Sequence, residues 1–185
     1  MPTSLSKKPL SSIKLKVSVA IESTAGTKPT SGYYRVPMVT ALPDMDWEND
    51  TIDVTSYDNE KNYSYIPGLR DTGGLLSLEA NWSEYGVSMW DDLATLLDSA
   101  NNSTGKCAWL MIDINGTDIK YFIPIIPVLT GIPDAPVNDK VSINYNFTVV
   151  GDMVKETIAS IDGYYASGDY TPSASSTPAN PSNPQ

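Results

Sequence analysis

Three segments of this 185-residue chain alternate between large apolar side chains and polar or small ones, and this alternation constrains the fold more than any other feature. They run from Ile13 to Ile21, from Leu76 to Trp82 and from Val141 to Val149. A period of two places successive side chains on opposite faces of a β-strand. Each segment therefore predicts a strand with one buried and one polar face, as in an antiparallel sheet.

Two further segments predict strands that contain proline. CAWLMIDI and DIKYFIPIIPVLTGI flank Asn115-Gly116, a dipeptide that is typical of a tight hairpin turn. Pro124 and Pro127 cannot donate to a β-ladder, so the second strand is expected to bend, bulge or lie at an edge there. For the same reason, Pro37 within YYRVPMVT indicates an edge strand or a bulge.

Only residues 86–100 predict a helix, because their apolar residues recur at helical spacing. The sequence GVSMWDDLATLLDSA places Val87, Trp90, Leu93, Ala94 and Leu97 on one stripe. Ser88 followed by Asp91 resembles a capping box, which would start the helix there. The fold class is therefore mainly β: a β-sandwich or barrel with one flanking α-helix, a long loop and extended N- and C-terminal arms.

Composition argues against several classes of function. The chain has no histidine, one cysteine and a formal net charge of −10. Without histidine it lacks the commonest general base and metal ligand, so we predict no enzyme activity, no catalytic residue, no metal and no cofactor. Its charge disfavours tight binding to nucleic acid, and no apolar run approaches the roughly 20 residues of a membrane helix. Cys107, beside Ala108-Trp109-Leu110, is predicted to be a buried packing residue.

The stretch from Thr51 to Trp82 carries the most distinctive sequence. It contains the segment D-V-T-S-x-D at Asp53–Asp58, followed by I-P-G-L-x-D-x-G at Ile66–Gly73. Pro67-Gly68 predicts a turn, and the paired glycines at 73 and 74 precede the alternating strand. The stretch is acidic and rich in tyrosine.

This order and spacing resembles the major tail tube proteins of long-tailed, non-contractile bacteriophages. The resemblance is most specific from Asp53 to Trp82 and extends loosely to Gly151. It implies a structural virion protein that assembles into hexameric rings, stacked into a tail tube through which DNA is ejected. Expected partners are further copies of the chain and the tape measure, tail terminator and distal tail proteins. The expected location is the virion, after assembly in the host cytoplasm.

Composition divides the chain, and the resemblance assigns its contact residues. Residues 1–12 are an N-terminal arm, 13–151 the β domain with an assembly loop at about 43–74, and 152–185 a low-complexity C-terminal tail. Contacts between rings fall on the loop and the arm. The predicted contact residues are Asp53, Thr55, Asp58, Pro67, Gly68, Asp71 and Gly73 in the loop, and Lys7 and Lys8 in the arm.

The polar face of the segment 141–149 is uncharged and is predicted to line the lumen. Its residues are Ser142, Asn144, Asn146 and Thr148. DNA is expected to pass without tight binding, because attraction repeated at every ring would arrest it. Charge is also segregated along the chain. Residues 44–92 hold twelve acids against two bases, a net −10, whereas residues 1–35 hold six bases against one acid, a net +5.

Two other functions stay open on the sequence alone. A surface binding module, such as an adhesin-like β-sandwich, would use the tyrosine-rich loop as its binding site. A carbohydrate-active enzyme would use a pair of the acids between Asp44 and Asp58, although an acidic loop is more often a solvated surface.

Overall fold

The computed structural model describes residues 15–45, 49–53, 65–70, 74–98, 102–114, 117–137 and 139–171. It contains one α-helix, α1 (Glu84–Leu97), and one short 3₁₀ helix (Asp162–Tyr164) within these residues. The strands, in chain order, are β1 (Leu15–Ile21), β2 (Tyr34–Arg35), β3 (Val39–Ala41), β4 (Asn49–Asp53), β5 (Tyr65–Arg70), β6 (Leu75–Asn81), β7 (Ala108–Ile114), β8 (Ile119–Pro127), β9 (Ser142–Val149) and β10 (Val154–Thr157).

Eight of these strands form one antiparallel sheet in the order β2-β1-β7-β8-β9-β6-β3, with β10 also paired to β8. The remaining two, β4 and β5, pair with each other as a separate hairpin. The three alternating segments of the sequence are strands β1, β6 and β9. Strands β7 and β8 pair as the predicted hairpin requires, and its turn, Asn115-Gly116, lies outside the described residues. The predicted mainly β fold with one helix is confirmed.

The sheet curls until its two edges nearly meet. Val36 N donates to Val17 O of β1, and Met38 O accepts from Asn81 N of β6, with only Pro37 between them. Two Cα–Cα steps span at most about 7.6 Å, whereas β1 and β6 would lie about 19 Å apart in a flat sheet of this order. The crossover at Pro37 therefore links opposite edges of a barrel-like sheet, and the prediction of an edge position at Pro37 is confirmed.

The core fills the concave side of this curled sheet and is covered by α1. Val19, Leu110, Ile123, Tyr145 and Phe147 are fully buried there with Trp90 of the helix. The Trp90 indole lies 5.2 Å from the Tyr145 ring and 6.3 Å from the Phe147 ring, measured between centroids. Its N–H donates to Val128 O at 3.1 Å, so the buried indole has a polar partner.

The outer face of β1, β7 and β8 is buried as well, by the chain beyond residue 153. Ala20, Trp109, Met111 and Phe122 pack there with Ile161, and Tyr164 and Tyr165 lie against them. Strand β10 and the 3₁₀ helix thus lie beyond the predicted boundary at residue 151. The low-complexity composition did not predict this packing, which depends on a few aliphatic and tyrosine side chains. The division into arm, β domain and tail stays a prediction.

Helix α1 begins earlier than the predicted capping box. The cap is Ser83, whose Oγ accepts from Gly86 N at 3.1 Å, so Ser88, Asp91 and Asp92 lie well inside the helix. The prediction of a cap at Ser88 was wrong because the first turn contains Glu84, Tyr85 and Gly86, which break the apolar periodicity. Gly86 packs tightly: a Cβ there would overlap the Tyr145 hydroxyl and lie 2.9 Å from Pro37 Cγ.

Strand β8 carries Pro124 in the middle of the sheet, not at its edge. On one side it pairs with β7 throughout; on the other it pairs first with β10, at residues 119–122, and then with β9, at 125–127. Pro124 lies where these two partners meet, so its missing N–H leaves no ladder bond unmade. The strand ends at Pro127, whereas the sequence predicted that it continues to Ile132.

Candidate assembly surfaces

The β4–β5 hairpin lies within the predicted assembly loop and pairs with no other described strand. Its register joins Asn49 to Arg70 and Asp53 to Tyr65. Asp53, at the end of β4, is exposed. An isolated two-stranded hairpin is marginally stable in water, so a hairpin outside the main sheet is suited to being completed by a neighbouring molecule.

Pro67 and Gly68 lie inside strand β5, so the prediction of a turn there was wrong. The register shifts between Asn49 and Thr51, because Thr51 faces Pro67 while Asn49 faces Arg70. Two steps along β4 thus match three along β5, which is a β-bulge, and glycine and proline are tolerated in a strand at such a place. Other predicted contact residues lie outside the described residues: Thr55, Asp58, Asp71, Gly73, Lys7 and Lys8.

The predicted lumen residues share one face of β9. Ile143, Tyr145, Phe147 and Val149 point into the core, and Ser142, Asn144, Asn146 and Thr148 lie on the opposite face, with Asn144 exposed. Glu79 of β6 is directly opposite Asn144. A groove of about 400 Å³ runs over this face, between Glu79, Asp134 and Lys140. The alternation in the sequence correctly predicted which side chains of β9 point away from the core. That these side chains line a lumen stays a prediction.

Sequence reasoning missed a third surface, the exposed apolar segment that follows β8. Ile132 is 97% exposed and Val137 is 90% exposed, and Leu129 is also exposed. The segment is tied to the helix because Thr130 N and Oγ1 both donate to the Asp91 carboxylate, at 2.7 and 2.9 Å. Exposed aliphatic side chains on an anchored segment are typical of an interface. The signal in the sequence is the set of apolar residues that continues past Pro127, where the strand ends, to Ile132.

The buried acids of the main body serve the fold. Glu22 is 3% exposed and its carboxylate accepts from Trp109 Nε1 at 2.7 Å, Gly26 N at 2.9 Å, and Cys107 N and Sγ. Burial alone would raise the pKa of Glu22, but these donors together lower it below its usual value. Asp113 and Lys120, both buried, form an ion pair across β7 and β8.

Cys107 is buried beside Glu22, as a packing residue would be. Burial, and then the hydrogen bond and negative charge of Glu22, raise the pKa of the Cys107 thiol to about 12. The thiol therefore stays protonated at neutral pH and is a poor nucleophile.

Within the described parts of the chain, no three or more histidine, cysteine, aspartate or glutamate side chains come together as a metal site. Among the same residues, no helix is both long and apolar enough to cross a bilayer.

No family model and no curated protein sequence matches this chain. Solved structures do match. A chain of the extended PVC sheath–tube complex, from an extracellular contractile injection system, superposes with a TM-score of 0.58 at 13% identity, over 82% of this chain and 94% of that one. A chain of the anti-feeding prophage baseplate gives 0.56 at 14% identity, over 83% and 99%. A chain of the native gene transfer agent virion gives 0.52 at 11% identity, over 80% and 99%. At these identities the likeness shows the fold alone.

Proposed function

We propose that this chain is a structural subunit of the tube of a phage tail or a related injection particle, and that it self-assembles into stacked rings. The observation that carries the proposal is the fold match, which spans nearly the whole of chains from such particles. This fold match does not depend on the sequence segments at Asp53–Asp58 and Ile66–Gly73, which resemble tail tube proteins.

The surfaces of the subunit suit this role. A tube of rings needs one contact that closes by rotation and a second, head-to-tail contact that does not close. The β4–β5 hairpin and the N-terminal arm, with Lys7 and Lys8, provide the second contact in this proposal. Two of the similar structures are described with sixfold symmetry, which supports a hexameric ring.

The lumen is the conduit for DNA in this proposal. Ser142, Asn144, Asn146 and Thr148 line it with uncharged groups, and beside them two acids, Glu79 and Asp134, outnumber one base, Lys140. Because affinity for DNA comes from Lys and Arg contacts with phosphates, such a wall lets the duplex slide. Tape measure, tail terminator and distal tail proteins are the proposed partners at the interior and the two ends of the tube.

The sequence resemblance points to a non-contractile tail, whereas one of the similar structures is a sheath–tube complex of a contractile system. The common element is the tube subunit.

Negative-stain microscopy of the purified protein tests this function. We expect rings and hollow tubes with a repeat along the axis, and sedimentation velocity should show species far larger than the 20.0 kDa chain. Only monomer at high concentration, with and without the other tail proteins, would contradict the proposal and favour a binding module. Tubes that retain duplex DNA tightly at physiological salt would contradict the lumen assignment.

A further inference from the structure

A groove of about 410 Å³ lies where the two edges of the sheet meet. Its walls come from three places: Tyr34, Pro37 and Met38 at the edge crossover, Tyr85 in the first turn of α1, and Tyr165 after the 3₁₀ helix. We call it the tyrosine groove. It is distinct from the hairpin, the polar face of β9 and the exposed segment after β8.

Arg35 and Asp169 also line the tyrosine groove, but its aromatic and thioether surface suits an extended apolar ligand. Met38 is 63% exposed and Tyr85 is 37% exposed, so a thioether and a phenol ring are presented to solvent. Tyr34 and Tyr165 are half-buried and held in place by packing. Grooves lined with aromatic rings bind polyproline II segments, because the rings pack against the flat proline faces and the ligand is already extended.

The chain carries such a ligand in its own C-terminal residues. Pro178, Pro181 and Pro184 are spaced by three within the sequence TPANPSNPQ. A polyproline II helix has three residues per turn, so this spacing places all three rings on one face. Residues 172–185 contain no charged side chain, so their recognition depends on ring packing rather than on ion pairs.

The described chain ends at the rim of the groove. The Tyr170 ring lies 5.3 Å from the Tyr34 ring in an edge-to-face contact, and Tyr170 N donates to the Tyr85 hydroxyl at 2.9 Å. The Tyr170 hydroxyl donates to Asp92 at 3.0 Å. Fourteen residues follow Thr171. At about 3.1 Å each in polyproline II, they are long enough for the tail to fold back onto the groove beside Tyr170. A tether this short gives an effective concentration on the order of millimolar.

We propose that the tyrosine groove binds the proline-rich tail of its own chain, residues 172–185, with Pro178, Pro181 and Pro184 against the tyrosine rings. This binding site is independent of the tube function, since it requires only the single subunit. Its occupant covers Met38 and Tyr85, the two exposed large hydrophobic side chains of the groove.

Competition in the full-length chain tests this inference. A fluorescent peptide of residues 171–185 is titrated, by anisotropy, against the wild-type chain and against the variant Pro178→Ala/Pro181→Ala/Pro184→Ala. In the wild type the tethered tail competes with the peptide, so we expect binding to the triple variant to be about tenfold tighter. Raising the salt concentration should leave this affinity nearly unchanged, because the peptide has no charged side chain.

Two substitutions in the triple-variant background locate the site. Met38→Asn removes an apolar wall but suits the backbone, because Met38 has φ 57°, a left-handed conformation that asparagine tolerates. It should abolish peptide binding. Val137→Asn, at a residue that is even more exposed but lies outside the groove, should leave binding intact.

Three results would overturn the inference. The first is equal affinity of the wild type and the triple variant, which would mean that no tail competes. The second is binding that survives Met38→Asn. The third is competition that appears only when the wild-type chain is concentrated, which would assign the occupant to the tail of a second copy.

Discussion

At the scale of single residues, Glu22 shows how a buried charge stabilises the junction of strands β1 and β7. Its carboxylate has no cation beside it in the described hydrogen-bond network and is held by four N–H and S–H donors from Gly26, Cys107 and Trp109. Removing the charge would leave these buried donors with a weaker or mismatched acceptor. The residue is therefore a candidate for pH-dependent stability.

We expect Glu22→Gln to lower the free energy of unfolding by about 1–3 kcal/mol at pH 7. Because the pKa of Glu22 is lowered in the folded state, its stabilisation is complete above its usual value of 4.5 and is lost as the pH falls through the lower, folded value. Urea unfolding between pH 3 and 7 should show the wild type and the variant converging at the acid end. A constant difference across this range would contradict the assignment.

The sequence predicted the role of Cys107 but not that of Glu22. Cysteine beside a run of apolar residues indicates packing, and that is local information. Glu22 follows a strand as an ordinary exposed acid would, and its main partners lie 85 and 87 residues further along the chain. No local pattern in the sequence indicates a contact between residues so far apart in the chain.

At the scale of secondary-structure elements, the start of α1 gives a sharp comparison between two serines. Ser83→Ala removes the cap on Gly86 N, so we expect a loss of about 1 kcal/mol and a fall in Tm of about 3 °C. Ser88→Ala is the matched control; within the helix, alanine is at least as favourable as serine, so its change should stay within about 0.5 kcal/mol. Thermal unfolding followed by circular dichroism checks both, and a larger effect at Ser88 would contradict the observed cap.

The β4–β5 hairpin should be dispensable for folding but required for assembly. It pairs with no strand of the main sheet among those described, so deleting Asp53–Gly68 should leave a folded subunit with a Tm close to that of the wild type. The same subunit should form no tubes by electron microscopy.

Replacing Asp53–Gly68 with a Gly/Ser segment of equal length is the control. It distinguishes the effect of losing the hairpin residues from the effect of shortening the connection. It should also stay folded and fail to polymerise. A deletion variant that unfolds would show that the hairpin belongs to the core.

The elements differ in how well the sequence predicted them. Strands β1, β6 and β9 each follow an alternation that a one-residue slip would ruin, so their core-facing side chains were predicted correctly. The second face of β1 was predicted to be polar, but Ser18 and Ala20 on it are buried. The position of Pro124 in the sheet was harder to predict. A proline shows that one backbone donor is missing, but not which neighbouring strand goes without that hydrogen bond. The meeting of β9 and β10 along β8 satisfies that constraint without a sheet edge, and it depends on residues 23 to 33 positions away.

At the scale of the whole molecule, the unequal distribution of charge predicts that stacking is steered electrostatically. If the arm of one ring meets the loop of the next, the basic segment 1–35 faces the acidic segment 44–92. Exposed pairs contribute only about 0–1 kcal/mol each and are screened over roughly 8 Å at physiological salt. The effect should therefore be on the rate and polarity of assembly more than on final stability.

Lys7→Glu with Lys8→Glu should slow polymerisation at low ionic strength, with the difference shrinking as salt is added. Light scattering after dilution into assembly buffer measures this rate. Lys140→Glu with Lys155→Glu is the control, since both lysines are exposed and the net charge changes equally. If both pairs of substitutions slow polymerisation equally, the cause is the change in net charge and not a contact of the arm. An unchanged rate for the arm variant would contradict electrostatic steering of stacking.

The residues that cover the outer face of β1, β7 and β8 lie near the end of the sequence. Their position determines when the subunit can finish folding during translation. Ile161, Tyr164 and Tyr165 cover Trp109 and Phe122, and Tyr170 joins α1 to the first edge strand. A growing polypeptide has these surfaces bare until some 170 residues have left the ribosome. Synthesis and polymerisation are thereby separated in time, because a partly made chain cannot present a finished subunit to its neighbours. Nascent chains stalled before residue 161 should be digested rapidly by protease, and chains released after residue 171 should resist it.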